Sequence, residues 1–148
     1  MQLIRITYMS RPTALARQPS FDAAVAGLKE QSQRDNLRHG LTGALLVSPT
    51  WFIQVLEGGE AAATDLMDRI SRDPRHQDIR VFEQRPVAER LFGPFAMHVD
   101  GFDRVDPDLV WRCIDCFERP EVERAPLLIR ALLQSTRPLF PARKAVGA

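Results

Sequence analysis

Apolar and polar residues alternate at the start of the chain. Over residues 2–9, Ile4, Ile6 and Tyr8 fall on one face of an extended segment, with Leu3, Arg5, Thr7 and Met9 on the other. That period of two predicts a strand, and the β-branched residues favour it. Residues 10–19 are polar, carry Pro12 and Pro19, and predict a loop. The period then changes. Ser20 is a good N-cap, although Ala23 leaves no full capping box. Phe21, Ala24, Val25 and Leu28 recur at the spacing of an amphipathic helix. This helix is expected to run to about Arg34, with Asp35 and Asn36 ending it and Gly40 in the loop beyond.

Residues 41–47 are almost wholly apolar, as in a strand covered on both faces, and Gly43 marks a close backbone approach. Ser48-Pro49-Thr50 is a turn that pairs this strand with a third, residues 51–58. In the third strand Phe52, Gln54 and Leu56 point one way and Ile53 and Val55 the other. Gln54 is thus an amide within an apolar layer, and leaving its groups unpaired would cost ~1–3 kcal/mol. Gly58-Gly59 stops the strand. A second helix is expected over 60–72, with Ala62, Leu66 and Ile70 inward and Arg69 in the last turn, where a cation suits the helix dipole. Asp73-Pro74-Arg75-His76 is a turn, 79–87 contains a fourth strand, 90–94 is a connector, and 95–99 is a short fifth strand. The expected fold class is α+β: a ferredoxin-like βαββαββ sheet with two helices on one face. Ile53 and Val55 need cover on the other face. Val110, Trp111, Ile114 and Phe117 within 107–117, and Val122, Leu127, Leu128, Ala131 and Leu132 within 121–134, supply a C-terminal two-helix cap. The expected division is 1–100 for the sheet domain, 101–136 for the cap and 137–148 for a flexible tail.

Composition narrows the function. A chain of 148 residues can bury about 70% of its unfolded surface without metals or disulfides. A net charge of +1 with no Lys/Arg cluster argues against direct nucleic-acid binding. The N-terminus lacks the features of a signal peptide, and no apolar run reaches the ~18–20 residues needed to span a bilayer, so a cytoplasmic protein away from membranes is expected. Cys113 and Cys116 form a CxxC in mid-helix, with no second ligand pair and three scattered histidines (His39, His76 and His98). They read as buried helix thiols rather than a redox pair or a metal site. No nucleophile–histidine pairing and no phosphate-binding glycine loop is present. Glu57 and Glu60 are accounted for by charge compensation at a helix N-terminus, and Trp51 and Trp111 by core or interface packing. No catalytic residues emerge. Three polar groups remain aimed inward, Tyr8, Gln54 and Asn36, with Met97 within reach. They suit either a buried structural hydrogen-bond cluster or a planar, heteroatom-rich ligand held between the two helices.

The residues also resemble a known family. Leu3 through Ser10, Arg34-Asp35-Asn36 followed by Gly40-Leu41-Thr42-Gly43, Phe52 through Gly58, Asp73-Pro74-Arg75-His76, Arg90, Phe92 and Met97 resemble, in order and spacing, the BLUF family of blue-light sensors using flavin. The likeness covers about residues 2–100, and the last third matches only as the family's variable cap. The resemblance implies a photoreceptor without catalytic activity that binds FAD non-covalently, with FMN or riboflavin suiting the same residues. It implies that Tyr8 gives an electron and then a proton to the excited flavin, and that Gln54 links Tyr8 to the ring. Asn36 would bond the ring edge, Leu28 and Asp35 would lie against it, and Arg69, Arg75 and His76 would lie towards the ribityl and phosphate side. Rotation or tautomerisation of Gln54 would shift the absorption to the red. The family often has Trp-Ser-Met where this chain has Phe95-Ala96-Met97, which implies a cleaner Tyr8-driven photoreaction and altered transmission along this strand. Signalling would pass to a downstream protein, a regulator or a cyclic-nucleotide enzyme, with homo-oligomerisation through the cap. A flavin-free interaction module of the same fold is the alternative. An acylphosphatase-like enzyme would need more anion-binding groups than Met9-Ser10-Arg11-Pro12 offers.

Overall fold

The computed structural model of the chain describes residues 2–119 and 125–137. Its centre is a five-stranded sheet: β1 (Leu3–Pro12), β2 (Thr42–Val47), β3 (Phe52–Gly59), β4 (His76–Pro86) and β5 (His98–Gly101). The strand order is β4-β1-β3-β2-β5. All pairings are antiparallel except β2 with β5, which is parallel. Helices α1 (Phe21–His39) and α2 (Glu60–Ser71) lie on one face, and α3 (Pro107–Glu118) and α4 (Ala125–Thr136) on the other. This is the expected α+β, ferredoxin-like plan with a helical cap.

Strand parity builds two cores. Ile4, Ile6 and Tyr8 of β1 and Phe52 and Leu56 of β3 pack with Phe21, Val25, Leu28, Ala63 and Met67 under α1 and α2. Met9, Ala44, Leu46, Ile53 and Val55 pack with Leu109, Cys113, Phe117, Leu128 and Leu132 under the cap. Ile53 and Val55 are wholly inaccessible. Burial of such side chains stabilises by about 1.5–3 kcal/mol each.

Several boundaries differ from the sequence expectation. β1 runs on to Pro12, because Arg11 and Pro12 pair with Gln77 and His76 of β4, and a 3₁₀ turn follows at Ala14–Arg17. β4 accordingly starts at His76 rather than Ile79. Ser20 caps α1 as expected, its Oγ accepting from Ala23 N–H at 3.1 Å. Asp35 and Asn36 do not end that helix. The Asn36 side chain donates to Ala96 O at 2.8 Å instead of competing with its own backbone, and Gly40 at φ 68° closes α1. The fifth strand is 98–101, not 95–99: Phe95 N–H turns back to Phe92 O at 3.0 Å, and pairing with β2 begins at Ala44 and His98. Trp111 does not face the core. It is 69% exposed, and α3 buries Leu109, Cys113, Cys116 and Phe117 instead. Apolar residues surround α3 widely enough that spacing alone does not fix its inner face. Glu57 is not a helix-terminal surface charge; it is completely buried three residues before α2 begins. Val122 and residues 138–148 lie outside the described residues. No helix among the described residues is long and apolar enough to cross a membrane.

Candidate functional site

A cleft of about 250 Å³ opens between α1 and α2, floored by β1 and β3. Small-molecule sites usually offer ~300–1,000 Å³, and this cleft is partly open to solvent. Tyr8, Leu28, Asp35, Asn36, Gln54, Arg69, Arg75, His76 and Met97 all line it. The structure therefore gathers around one space every residue that the family resemblance assigns to the flavin site.

The floor follows from register. Tyr8 and Gln54 are direct partners across β1 and β3, so their side chains stand side by side on the same face. The Tyr8 hydroxyl donates to Gln54 Oε1. Burial pushes the phenol pKa well above its ordinary value of 10.0, and the nearby Asp73 charge pushes it further, so Tyr8 is a neutral donor across the working pH range. Among the described residues Gln54 Nε2 meets only the Met97 thioether, at 3.7 Å, a weak acceptor. Asn36 spends its amide nitrogen on Ala96 O, and its carboxamide oxygen has no partner among the described residues. Two amides thus retain unused hydrogen-bonding capacity beside the cleft.

The walls are apolar. Ala24, Val25 and Leu28 of α1 face Leu66 and Ile70 of α2 across the opening. The helical period places these residues on the inner stripe of each helix. Asp35 lines the rim one residue before Asn36 and is half-buried.

Charged groups also border the cleft. Arg75 forks onto Asp73, with Nε 3.0 Å from each carboxylate oxygen and Nη2 2.5 Å from Oδ2. Burial raises the Asp73 pKa, but the hydrogen bonds and charge of Arg75 outweigh it and hold the carboxyl below its ordinary value. His76 contacts Ser10 Oγ through Nδ1 at 2.8 Å and Ile70 O through Nε2 at 2.6 Å. A carbonyl only accepts, so Nε2–H donates to Ile70 O, and with Nδ1 against the Ser10 hydroxyl both ring nitrogens are engaged. His76 therefore presents carbon edges, standing 6.2 Å from the Tyr8 ring centroid. Arg69, exposed on α2, has no ion-pair partner among the described residues.

This arrangement fits a flat, mostly apolar ring with polar atoms along one edge and an anionic tail. The two amides, the aliphatic side chains of α1 and α2, and Arg69 all line this one cleft. Sequence reading placed Asp73 in a turn but gave it no role in the site, whereas it fixes Arg75 and bears on Tyr8. Its signal is the Asx-type turn Asp73-Pro74-Arg75, where Asp73 Oδ1 also accepts from Arg75 N–H at 2.9 Å. Ser10, the tether of His76, carried no comparable signal.

Comparison with known proteins points the same way. The family model described as BLUF, sensors of blue light using FAD, matches residues 3–98. The chain is 32% identical over 90 residues to the photoactivated adenylate cyclase subunit beta of Euglena gracilis, and 33% identical over 92 residues to subunit alpha. These matches cover 61% and 62% of this chain but only 10% and 9% of the relatives. The chain thus spans about a tenth of the length of those proteins. Among solved structures, the dark state of BlrB, a BLUF protein, superposes with a TM-score of 0.70 at 28% identity, covering 93% of this chain and 97% of that one. Klebsiella pneumoniae BlrP1 with FMN and cyclic diGMP gives 0.61 at 32% identity, covering 78% of this chain and 30% of BlrP1.

Proposed function

The chain belongs to the BLUF family, the sensors of blue light using FAD, and on that premise we propose that Tyr8, Gln54 and Met97 are its light switch, reading a flavin held non-covalently between α1 and α2. One observation carries this reading. The Tyr8 phenol donates to Gln54 Oε1 while Gln54 Nε2 has only a thioether, all beside an open apolar cleft. A bound flavin would supply the blue-light-absorbing ring and an acceptor for an electron and a proton. Tyr8 is the donor of both and takes both back. Burial keeps it protonated beforehand. While the phenol lacks its proton, Gln54 Oε1 has no donor, so the amide is released to turn or tautomerise. The rebuilt network differs in which amide atom faces the cleft, and its energy is close enough to the first for the change to relapse in the dark.

The remaining roles follow the geometry. Leu28 packs on the ring, Asp35 borders it, and Asn36 bonds its edge. Arg69 is the cation most available to the phosphate side, because Arg75 is held by Asp73 and His76 by Ser10 and Ile70. Residues 1–100 form the flavin-binding unit and 101–136 the cap that passes the signal on. The chain acts as a sensor without catalysis of its own, addressing a regulator or a cyclic-nucleotide enzyme. Exposed Trp111 gives the cap a self-association surface. Two buried thiols that form no disulfide suit the cytoplasm.

The test is the visible spectrum of the purified, flavin-loaded chain before and after blue light. A yellow protein with a small, dark-reversible red shift is expected, and Tyr8→Phe and Gln54→Leu each abolish the shift. A chain that stays colourless with FAD rejects the photoreceptor reading. A normal shift in either variant rejects the assigned switch.

A further inference from the structure

β3 carries a second buried polar group, on the face opposite Gln54. Glu57 is wholly inaccessible, and its carboxylate gathers three donors: Arg5 Nε at 3.1 Å, Leu91 N–H at 2.8 Å and Phe92 N–H at 2.8 Å. One oxygen takes Arg5 and Leu91, the other Phe92. From there the connector between β4 and β5 is bonded at successive points. Phe92 O accepts from Phe95 N–H at 3.0 Å, and Phe95 O accepts from Gly43 N–H at 3.1 Å. Ala96 O accepts from Asn36, and Met97 O from Gln33 Nε2 at 2.9 Å. Met97 then places its sulfur against Gln54.

We propose that Glu57 is a positioning residue of the switch: from the cap face of β3 its carboxylate clips residues 91–92, and so sets where the connector holds Met97 against Gln54 and Ala96 against Asn36. The inference rests on the light-switch reading above. The chemistry requires a carboxylate. Two ionised oxygens provide enough acceptor sites for three converging donors. A glutamine of the same shape has one acceptor oxygen and turns an N–H₂ group towards donors. Such a clip opposes movement of Met97, so it raises the barrier that the Gln54 amide crosses when it returns in the dark.

The experiment compares wild type, Glu57→Gln and Leu128→Ala, the last a cap-core variant that lowers stability while keeping Glu57 and its three donors. In the flavin-loaded proteins Glu57→Gln is expected to show the wild-type red shift but to recover in darkness about tenfold faster, which corresponds to ~1.4 kcal/mol of barrier. Leu128→Ala lowers Tm and leaves the recovery rate unchanged. In the flavin-free proteins kept dark, hydrogen exchange at the Gly43 amide speeds up in Glu57→Gln, while amides between β1 and β3 keep their protection. A second measurement needs no variant: in wild type the Leu91 and Phe92 amides exchange faster under blue light than in darkness. Wild-type recovery in Glu57→Gln, or a Glu57→Gln effect no different from that of Leu128→Ala, overturns the proposal. Should Glu57→Gln fail to fold, equal protection of Leu91 and Phe92 in light and dark overturns it instead. A wild-type chain with no light-induced shift overturns the underlying reading and this one with it, so the two failures are distinct.

Discussion

Gly43→Ala should damage both the fold and the switch, and the structure gives the size of the effect. A Cβ at Gly43 would lie 2.1 Å from Val55 O and 3.3 Å from Met97 Cε. Ordinary contact begins at 3.4 Å, so the two strands must separate locally by 1.3 Å. The obstacle is backbone, not a flexible side chain. It cannot retreat easily, because Val55 is inaccessible and is paired on its far side with Thr7 of β1. Overpacking a well-filled core costs about 1–3 kcal/mol, and an immovable sheet carbonyl places this case at the upper end, ~3 kcal/mol. For a chain of this size ~2–4 °C of Tm accompanies each kcal/mol, so Tm should fall by about 6–12 °C. Gly27→Ala is the internal control. Gly27 lies within α1 with nothing within 4 Å of a new Cβ, and removing a glycine from a helix stabilises by about 0.5–1 kcal/mol. The two variants, identical in chemistry, should shift Tm in opposite directions. The assay is thermal unfolding of the flavin-free chain followed by circular dichroism. A Gly43→Ala protein melting within about 2 °C of wild type would refute the register of β2 on β3, and with it the placement of Met97 beside Gln54.

Two further outcomes test the buried titratable groups. Tyr8 is the chain's single tyrosine, so an alkaline spectrophotometric titration reports on it alone; its pKa is raised in the folded state, so its contribution to stability is present below the ordinary value of 10.0 and is lost as pH rises beyond it. The tyrosinate band should therefore appear together with unfolding, and a band rising near pH 10.0 in a still-folded protein contradicts the burial of this phenol. Burial, aided by Cys116, pushes the Cys113 thiol up to about 12, so alkylation at mildly alkaline pH should label neither cysteine in the native chain and both in denaturant, as counted by mass; rapid native labelling contradicts the packing of α3.

The sequence exposed what repeats and hid what depends on register. Alternation in β1 and β3 is enough to put Tyr8 and Gln54 on one face and Ile53 and Val55 on the other, because a side chain's face depends only on parity. The same parity puts Arg5 on the face of Met9, and Glu57 on the face of Val55. Two opposite charges on one buried face are a legible sign of a pair, but their meeting requires Arg5 to stand opposite Glu57, which only the register provides. Local preference misled at α1, where Asp35 and Asn36 read as helix breakers. A distant carbonyl, Ala96 O, claims the Asn36 side chain, and the helix continues beneath it. Trp111 misled for another reason: on a short helix with apolar residues on several sides, burial is decided by which stripe meets the sheet, and Cys113 and Cys116 lie on that stripe.

The Trp-to-Phe departure at position 95 acquires a structural meaning from these placements. Phe95 packs against the cap core, its ring 5.4 Å from that of His98, rather than alongside Gln54. The residue that approaches Gln54 from this segment is Met97. Among the described residues the Gln54 side chain therefore has one strong partner, Tyr8, and one weak one, a thioether. An amide held this way has little to lose by turning once the phenol stops donating, since sulfur is a poor acceptor and binds neither orientation firmly. The resistance to turning must then come from packing around Met97 rather than from hydrogen bonds to it. That packing is set by the connector, whose far end is fastened to Glu57 on the other side of the same strand. On the proposed reading, β3 carries the switch on one face and its restraint on the other, three residues apart.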